Sequence, residues 1–142
     1  MGSVDTGSMT DVVRSARLDL VALTPELLRV IECGDAERVS EVLGVEVPPE
    51  FLPTIPARAL LDRLPVELAR GRWCSRAIVV RAEGRVVGNI GFLAPPDADG
   101  TVRLEYALLE SELGRGYASE AVGALQAWAM ETGLVRMFRW AV

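Results

Sequence analysis

Apolar and polar positions alternate from Leu18 to Leu23, which predicts a first strand. Thr24-Pro25-Glu26 then opens a helix, with threonine as N-cap, proline at the first helical position and an acid in the first turn. That helix is expected to reach about Cys33 and stop at Gly34. Asp35 caps a second short helix through Val42 and Leu43, ending at Gly44. Pro48, Pro49, Pro53 and Pro56 predict a connecting loop, because so many prolines do not fit a helix interior or a strand ladder. Phe51, Leu52 and Ile55 within it either pin the loop to the core or line a pocket; pinning is the preferred reading. Ala57 to Arg70 is helical in pattern, with a kink or break expected at Pro65 and a stop at Gly71.

The second half begins with a strand, Ser75 to Arg81, a turn at Glu83-Gly84 and a partner strand, Arg85 to Leu93. Gly88 and Gly91 inside that partner predict a bulge or a close backbone approach. A turn over Pro95 to Gly100 leads into the strand Thr101 to Leu109. These three strands make an antiparallel meander. From Tyr117 to Thr132 the apolar residues Ala118, Ala121, Val122, Leu125, Trp128 and Ala129 recur at helical spacing, and Gly133 is the stop. Leu134 to Val142 is a mostly apolar last strand. Strand, helix and strand form a βαβ unit, so the last two strands are expected to be parallel with a right-handed crossover. The fold class is α+β, with one mixed sheet of five strands.

Composition narrows the chemistry. The 142 residues suffice for one domain with a real core, expected over residues 16–142. Met1 to Ser15 carries Gly, Ser, Thr and Asp without an apolar centre; it is expected to be a flexible leader and not a signal peptide, with the cytoplasm as the default location. No stretch is apolar and long enough to span a membrane. The net charge is −5 and no basic cluster occurs, which speaks against a nucleic-acid partner. The chain has no histidine, which removes His-based triads and nearly all zinc-enzyme patterns, so no metal site is expected. It also has no lysine, since all 15 basic residues are arginine, which removes Schiff-base chemistry. Any general base must then be Asp, Glu, Tyr, a thiolate or a water relay. Cys33 and Cys74 are far apart and are expected to be small buried core residues.

One stretch carries candidate chemistry. The strand ending at Leu109 passes through Glu110-Ser111-Glu112-Leu113 into Gly114-Arg115-Gly116 and then into the long helix. Such a turn presents backbone N–H groups, with the positive end of the helix dipole, to an anion such as pyrophosphate. The competing reading is that glycines only satisfy a tight turn. A P-loop requires a lysine that this chain lacks. A dinucleotide fingerprint requires a third glycine where Ser119 stands and an acid after the next strand, where the chain reads Trp140-Ala141-Val142.

Glu105-Tyr106-Ala107-Leu108 followed by Leu113-Gly114-Arg115-Gly116-Tyr117-Ala118-Ser119-Glu120-Ala121 resembles the acetyl-CoA-binding core of the GNAT N-acetyltransferases, closest to the branch that acetylates ribosomal-protein N-termini. Arg17-Leu18, Val87-Gly88-Asn89-Ile90-Gly91, Trp128-Ala129 and Gly133-Leu134 with Arg136 look like further landmarks of that family. The resemblance implies a mixed sheet with helices on both faces. It implies acetyl-CoA as cosubstrate and a primary amine, on a peptide N-terminus or a small molecule, as acceptor. It assigns the pyrophosphate to the backbone around Leu113, Gly114, Arg115, Gly116, Tyr117, Ala118 and Ser119, and the pantetheine arm to the strand at Leu108. A backbone N–H near Leu108 would steady the developing oxyanion. The amine must lose a proton before it attacks, from an unperturbed pKa of about 8 for an α-amino group or about 10.4 for a lysine-type amine.

Some positions depart from the family pattern. Leu113 stands where Gln or Arg is frequent, and Arg103 where many relatives have a glutamate. Glu105, on the same strand face, is the candidate base or water-orienting group; its alternative role is to pair with Arg103. Tyr106 and Tyr117 are expected to pack and not to react. Relatives continue past the last strand, so the family domain is expected to be incomplete after Val142, with a partner copy able to complete the sheet. The alternative function is a catalytically weak acyl-CoA-binding domain.

Overall fold

Short-range signals place most elements of the chain. The structure, a computed structural model, describes residues 12–63 and 71–140. Its strands are β1 (Val13–Arg14), β2 (Leu18–Ala22), β3 (Ser75–Val80), β4 (Arg85–Phe92), β5 (Thr101–Leu108) and β6 (Met137–Trp140). Its helices are α1 (Pro25–Glu32), α2 (Ala36–Leu43), α3 (Ala57–Asp62) and α4 (Tyr117–Glu131), with 3-10 turns over Pro49–Thr54, Gly71–Trp73 and Glu110–Glu112. Thr24 caps α1 by accepting from the Leu27 N–H, and Asp35 caps α2 by accepting from the Arg38 N–H. Gly44 closes α2 in the left-handed conformation that a side chain resists.

The six strands lie in sequence order, antiparallel from β1 to β5 and parallel between β5 and β6. Helices cover both faces. On one, Ala121, Leu125 and Ala129 of α4 pack on Leu18, Leu20, Ile78, Ile90, Val102 and Leu104. On the other, α1, α2 and the proline-rich turn pack on Ala77, Val79 and Val86. Phe51, Leu52 and Ile55 are buried there and pin the turn, as preferred from the sequence.

Several expectations need correction. The leader was expected to extend to Ser15, but Val13–Arg14 already pair with Leu20 and Asp19, so the sheet has six strands instead of five. Two residues are too few for a period to show. Residues 1–11 lie outside the described residues. The helix expected over 57–70 is α3 up to Asp62, and 64–70, with Pro65, lie outside the description. The last strand begins at Met137 and not at Leu134, because the N–H groups of Arg136 and Met137 first converge on the Gly100 carbonyl. Residues 141–142 are outside the description. Cys74 is buried, but Cys33 is exposed at the C-cap of α1.

A bulge in β4 aims the candidate site. Ile78 pairs with Gly88 and Val79 with Val86, so Val87 is the extra residue. Its carbonyl accepts the Leu109 N–H at 2.9 Å and holds the end of β5 against β4, just ahead of the acidic turn. A Cβ at Gly88 would lie 2.3 Å from the Ala107 carbonyl oxygen, so only glycine permits this approach.

Candidate active site

Beyond β5 the chain makes its short acidic 3-10 turn and reaches Gly114 and Gly116, both at φ 82°, in the left-handed region. The first bond of the α4 ladder runs from the Glu120 N–H to the Gly116 carbonyl. Ahead of it, the N–H groups from Gly114 to Ser119 find no acceptor among the described residues. A row of such donors at the start of a 15-residue helix suits an anion with several oxygens. Leu113 is exposed, and Arg115 sits 3.7 Å from Glu112. The Tyr117 side chain is buried in the core, so that residue offers the loop its backbone only.

The turn is braced from both sides. Glu112 is buried and pairs with Arg85, whose guanidinium also meets Glu83 at 2.6 Å. These two carboxylates push the Arg85 pKa up. On the other side, Glu120 accepts from the Ser15 hydroxyl, the Arg17 backbone N–H and Arg17 Nε. Burial alone would raise the Glu120 pKa; the hydrogen bonds from Ser15 and Arg17 and the Arg17 charge outweigh it and hold the carboxyl below the ordinary glutamate value.

Ala118 and Ser119 open onto a cleft of about 310 Å³, lined also by Tyr106, Val122, Gln126 and Trp140. Pairing between β5 and β6 is described as far as Leu104 and Trp140. A second cleft, of about 430 Å³, contains Glu105. Asn89, Ser75 and Thr54 share it, and Pro53, Ile55, Pro56 and Leu60 form its apolar wall. Tyr106 lines both clefts. It packs edge-on against Trp140 at 5.8 Å and remains partly exposed. No ion pair joins Glu105 to Arg103 among the described residues, so the alternative role for Glu105 has no support there. A further cleft, about 770 Å³ between α1, the proline-rich turn and α3, holds none of the predicted site residues.

A family model described as Acetyltransferase (GNAT) domain matches residues 17–142. The chain belongs to the GNAT acetyltransferase family. Its mixed sheet with helices on both faces is that family's fold. An acetyltransferase from Salmonella typhimurium that modifies the N-terminal serine of the 50S ribosomal protein L7/L12 is similar at a TM-score of 0.61 and 18% identity, over 90% of this chain and 73% of that one. The L7/L12 α-N-protein acetyltransferase RimL in complex with coenzyme A matches at 0.58 and 16%, over 90% and 72%. The microcin C7 self-immunity acetyltransferase MccE, in complex with acetyl-CoA and AMP, matches at 0.56 and 12%, over 87% and 68%. No curated protein matches the chain.

Within this GNAT chain, Arg17, Asn89 and Glu120 stand in stretches that the resemblance singles out, but their pairing with one another, with Ser15 and with Thr54 was not legible in the sequence. Glu120 had one legible signal, an acid in the first turn of a helix. Nothing local pointed to Arg17 as its partner, 103 positions earlier in the chain. Arg76 was also missed: it is fully buried beneath Trp128 and donates to the carbonyls of Leu20 and Arg72. No group of three or more His, Cys, Asp or Glu suited to a metal occurs among the described residues, and no described helix is long and apolar enough to cross a membrane.

Proposed function

We propose that this protein transfers an acetyl group from acetyl-CoA to a primary amine by direct attack. One observation carries the reading: Tyr106 of β5 borders both the cleft at the unpartnered N–H groups and the cleft that holds Glu105. The two reactants would approach the strand from these two clefts. The N–H groups of Gly114, Arg115, Gly116 and Ala118 hold the pyrophosphate, and the strand at Leu108 takes the pantetheine arm as an added strand.

The acceptor enters as an ammonium ion. Glu105, directly or through a water, takes a proton from it. The amine lone pair then attacks the thioester carbonyl carbon, and a backbone N–H near Leu108 stabilises the oxygen as charge builds on it. The C–N bond forms, the C–S bond breaks, and the electron pair leaves with the CoA thiolate; the amide nitrogen sheds its second proton, which through solvent neutralises the thiolate, and Glu105 returns its own proton to solvent. A peptide N-terminus is the favoured acceptor, in keeping with the L7/L12-modifying neighbours.

The test incubates the protein with acetyl-CoA and a panel of serine-initiated peptides, polyamines and amino acids, and follows free thiol. Thiol release that depends on an amine is expected. CoA binding without release for any amine would leave a catalytically weak acyl-CoA-binding domain instead. Gly116→Val is expected to abolish CoA binding; retention would refute the loop assignment.

A further inference from the structure

We propose that Arg17 and Glu120 are a positioning pair that orients the Arg115–Gly116 peptide plane, and with it the anion-binding N–H of Gly116. The proposal rests on the CoA reading above. Glu120 Oε2 accepts from the Ser15 hydroxyl at 2.5 Å and from the Arg17 backbone N–H at 2.7 Å. Glu120 Oε1 accepts from Arg17 Nε, also at 2.7 Å. Thus anchored, the Arg17 guanidinium lies over the Tyr117 ring, 4.7 Å from its centroid. Its Nη1 donates to the Arg115 carbonyl at 3.2 Å.

That last bond does more than tie two loops together. A peptide unit is planar and trans, and no cis bond occurs among the described residues. The carbonyl oxygen of Arg115 and the N–H of Gly116 therefore point in opposite directions. Drawing the oxygen toward Arg17 turns the N–H away from it. The positive φ of Gly116 makes this plane orientation accessible without strain. The Gly116 residue itself is set close: a Cβ there would stand 3.3 Å from Arg17 Nη2.

Charge gives the pair a second effect. Glu120 sits in the first turn of α4, near the groups that receive the pyrophosphate. An uncompensated carboxylate there would repel it. Arg17 compensates that charge while remaining half exposed, so the pair supports the loop without being part of the core. The Ser15 hydroxyl also holds the Leu18 N–H at 3.2 Å, which ties the whole device to the start of β2.

Three variants test it by calorimetric titration with CoA, with melting curves as a folding control. Arg17→Ala is expected to bind CoA about tenfold more weakly, since charge-assisted hydrogen bonds are among the stronger ones. Arg17→Lys keeps the charge but cannot reach Glu120 and the Arg115 carbonyl together, and is expected to weaken binding by a similar factor. Glu120→Gln keeps an acceptor for Arg17 Nε and is expected to fall between. In turnover, the KM for acetyl-CoA rises with the dissociation constant while kcat at saturation and the amine KM stay within about twofold. The Gly116 amide resonance of the free protein is expected to shift in Arg17→Ala. Unchanged CoA affinity in a folded Arg17→Ala overturns the proposal and leaves the CoA reading standing. If the unaltered protein binds no CoA, the CoA reading fails, and an unmoved Gly116 resonance overturns the positioning role as well.

Discussion

Asn89 donates its side-chain amide to Thr54 Oγ1 at 3.3 Å, and Thr54 donates its own hydroxyl to the Phe51 carbonyl at 2.6 Å. Because the only Thr54 proton is committed to Phe51, Thr54 can only accept from Asn89. That fixes which end of the Asn89 amide faces Thr54, in the cleft that both share with Glu105. The cleft thus brings an amide side chain and a carboxylate side chain together where an ammonium ion could bind. Asn89→Ala is expected to raise the KM for a primary amine about fivefold to tenfold, as loss of one hydrogen bond to a charged group would. The KM for acetyl-CoA should not change. Steady-state kinetics with each substrate varied in turn checks this.

Glu105→Gln is expected to lower turnover about a hundredfold near neutral pH, the lower end of what a positioned base supplies. The loss should shrink as pH rises above about 8, where an α-amino group deprotonates without help. A pH–rate profile of both proteins reads the convergence. Parallel profiles at all pH values would assign Glu105 a binding role only.

Arg85 and Glu112 form a part-buried ion pair at the acidic turn. Without Arg85 the buried Glu112 carboxylate keeps only Arg115, 3.7 Å away. Arg85→Ala is expected to cost about 1–3 kcal/mol of stability, measured by denaturant unfolding. Arg58→Ala, whose partners Glu32 and Asp62 lie 3.8 and 3.6 Å away at the surface, should cost less than about 1 kcal/mol.

The hydrogen bonds at Glu120 also predict a pH response. Its folded pKa lies below the ordinary glutamate value, so the unfolded chain binds the proton more tightly. The contribution is fully present above the unfolded pKa and is lost as pH falls through the folded one. Melting temperatures measured from about pH 7 downward should therefore decline below about pH 5 with a shallower slope in Glu120→Gln than in the unaltered protein.

What could be read along the chain was local. Thr24 and Asp35 cap the helix starts beside them, and Gly44 and Gly116 permit a left-handed backbone at their own positions, so these helix ends were legible. The spacing of Leu125 and Ala129 placed α4 on the sheet, and the absence of lysine excluded a P-loop before any fold was known. Gly88 signalled a close approach, although not that Ala107 was the neighbour.

The rest depended on strand register. β1 is two residues long and exists only because β2 is there to pair with it. Glu120 meets Arg17 across 103 positions, and Asn89 meets Thr54 across 35. Tyr106 borders two clefts because the β4 bulge and the crossover through α4 bring separate parts of the chain to one point on β5. Backbone preferences and periodicity act within a few residues, so the sequence alone determined the elements, the glycine loop and the range of available chemistry. Contacts between distant side chains arise only once the sheet has set its register, and the tertiary structure alone decided which carboxylates brace the loop and which one faces a cleft.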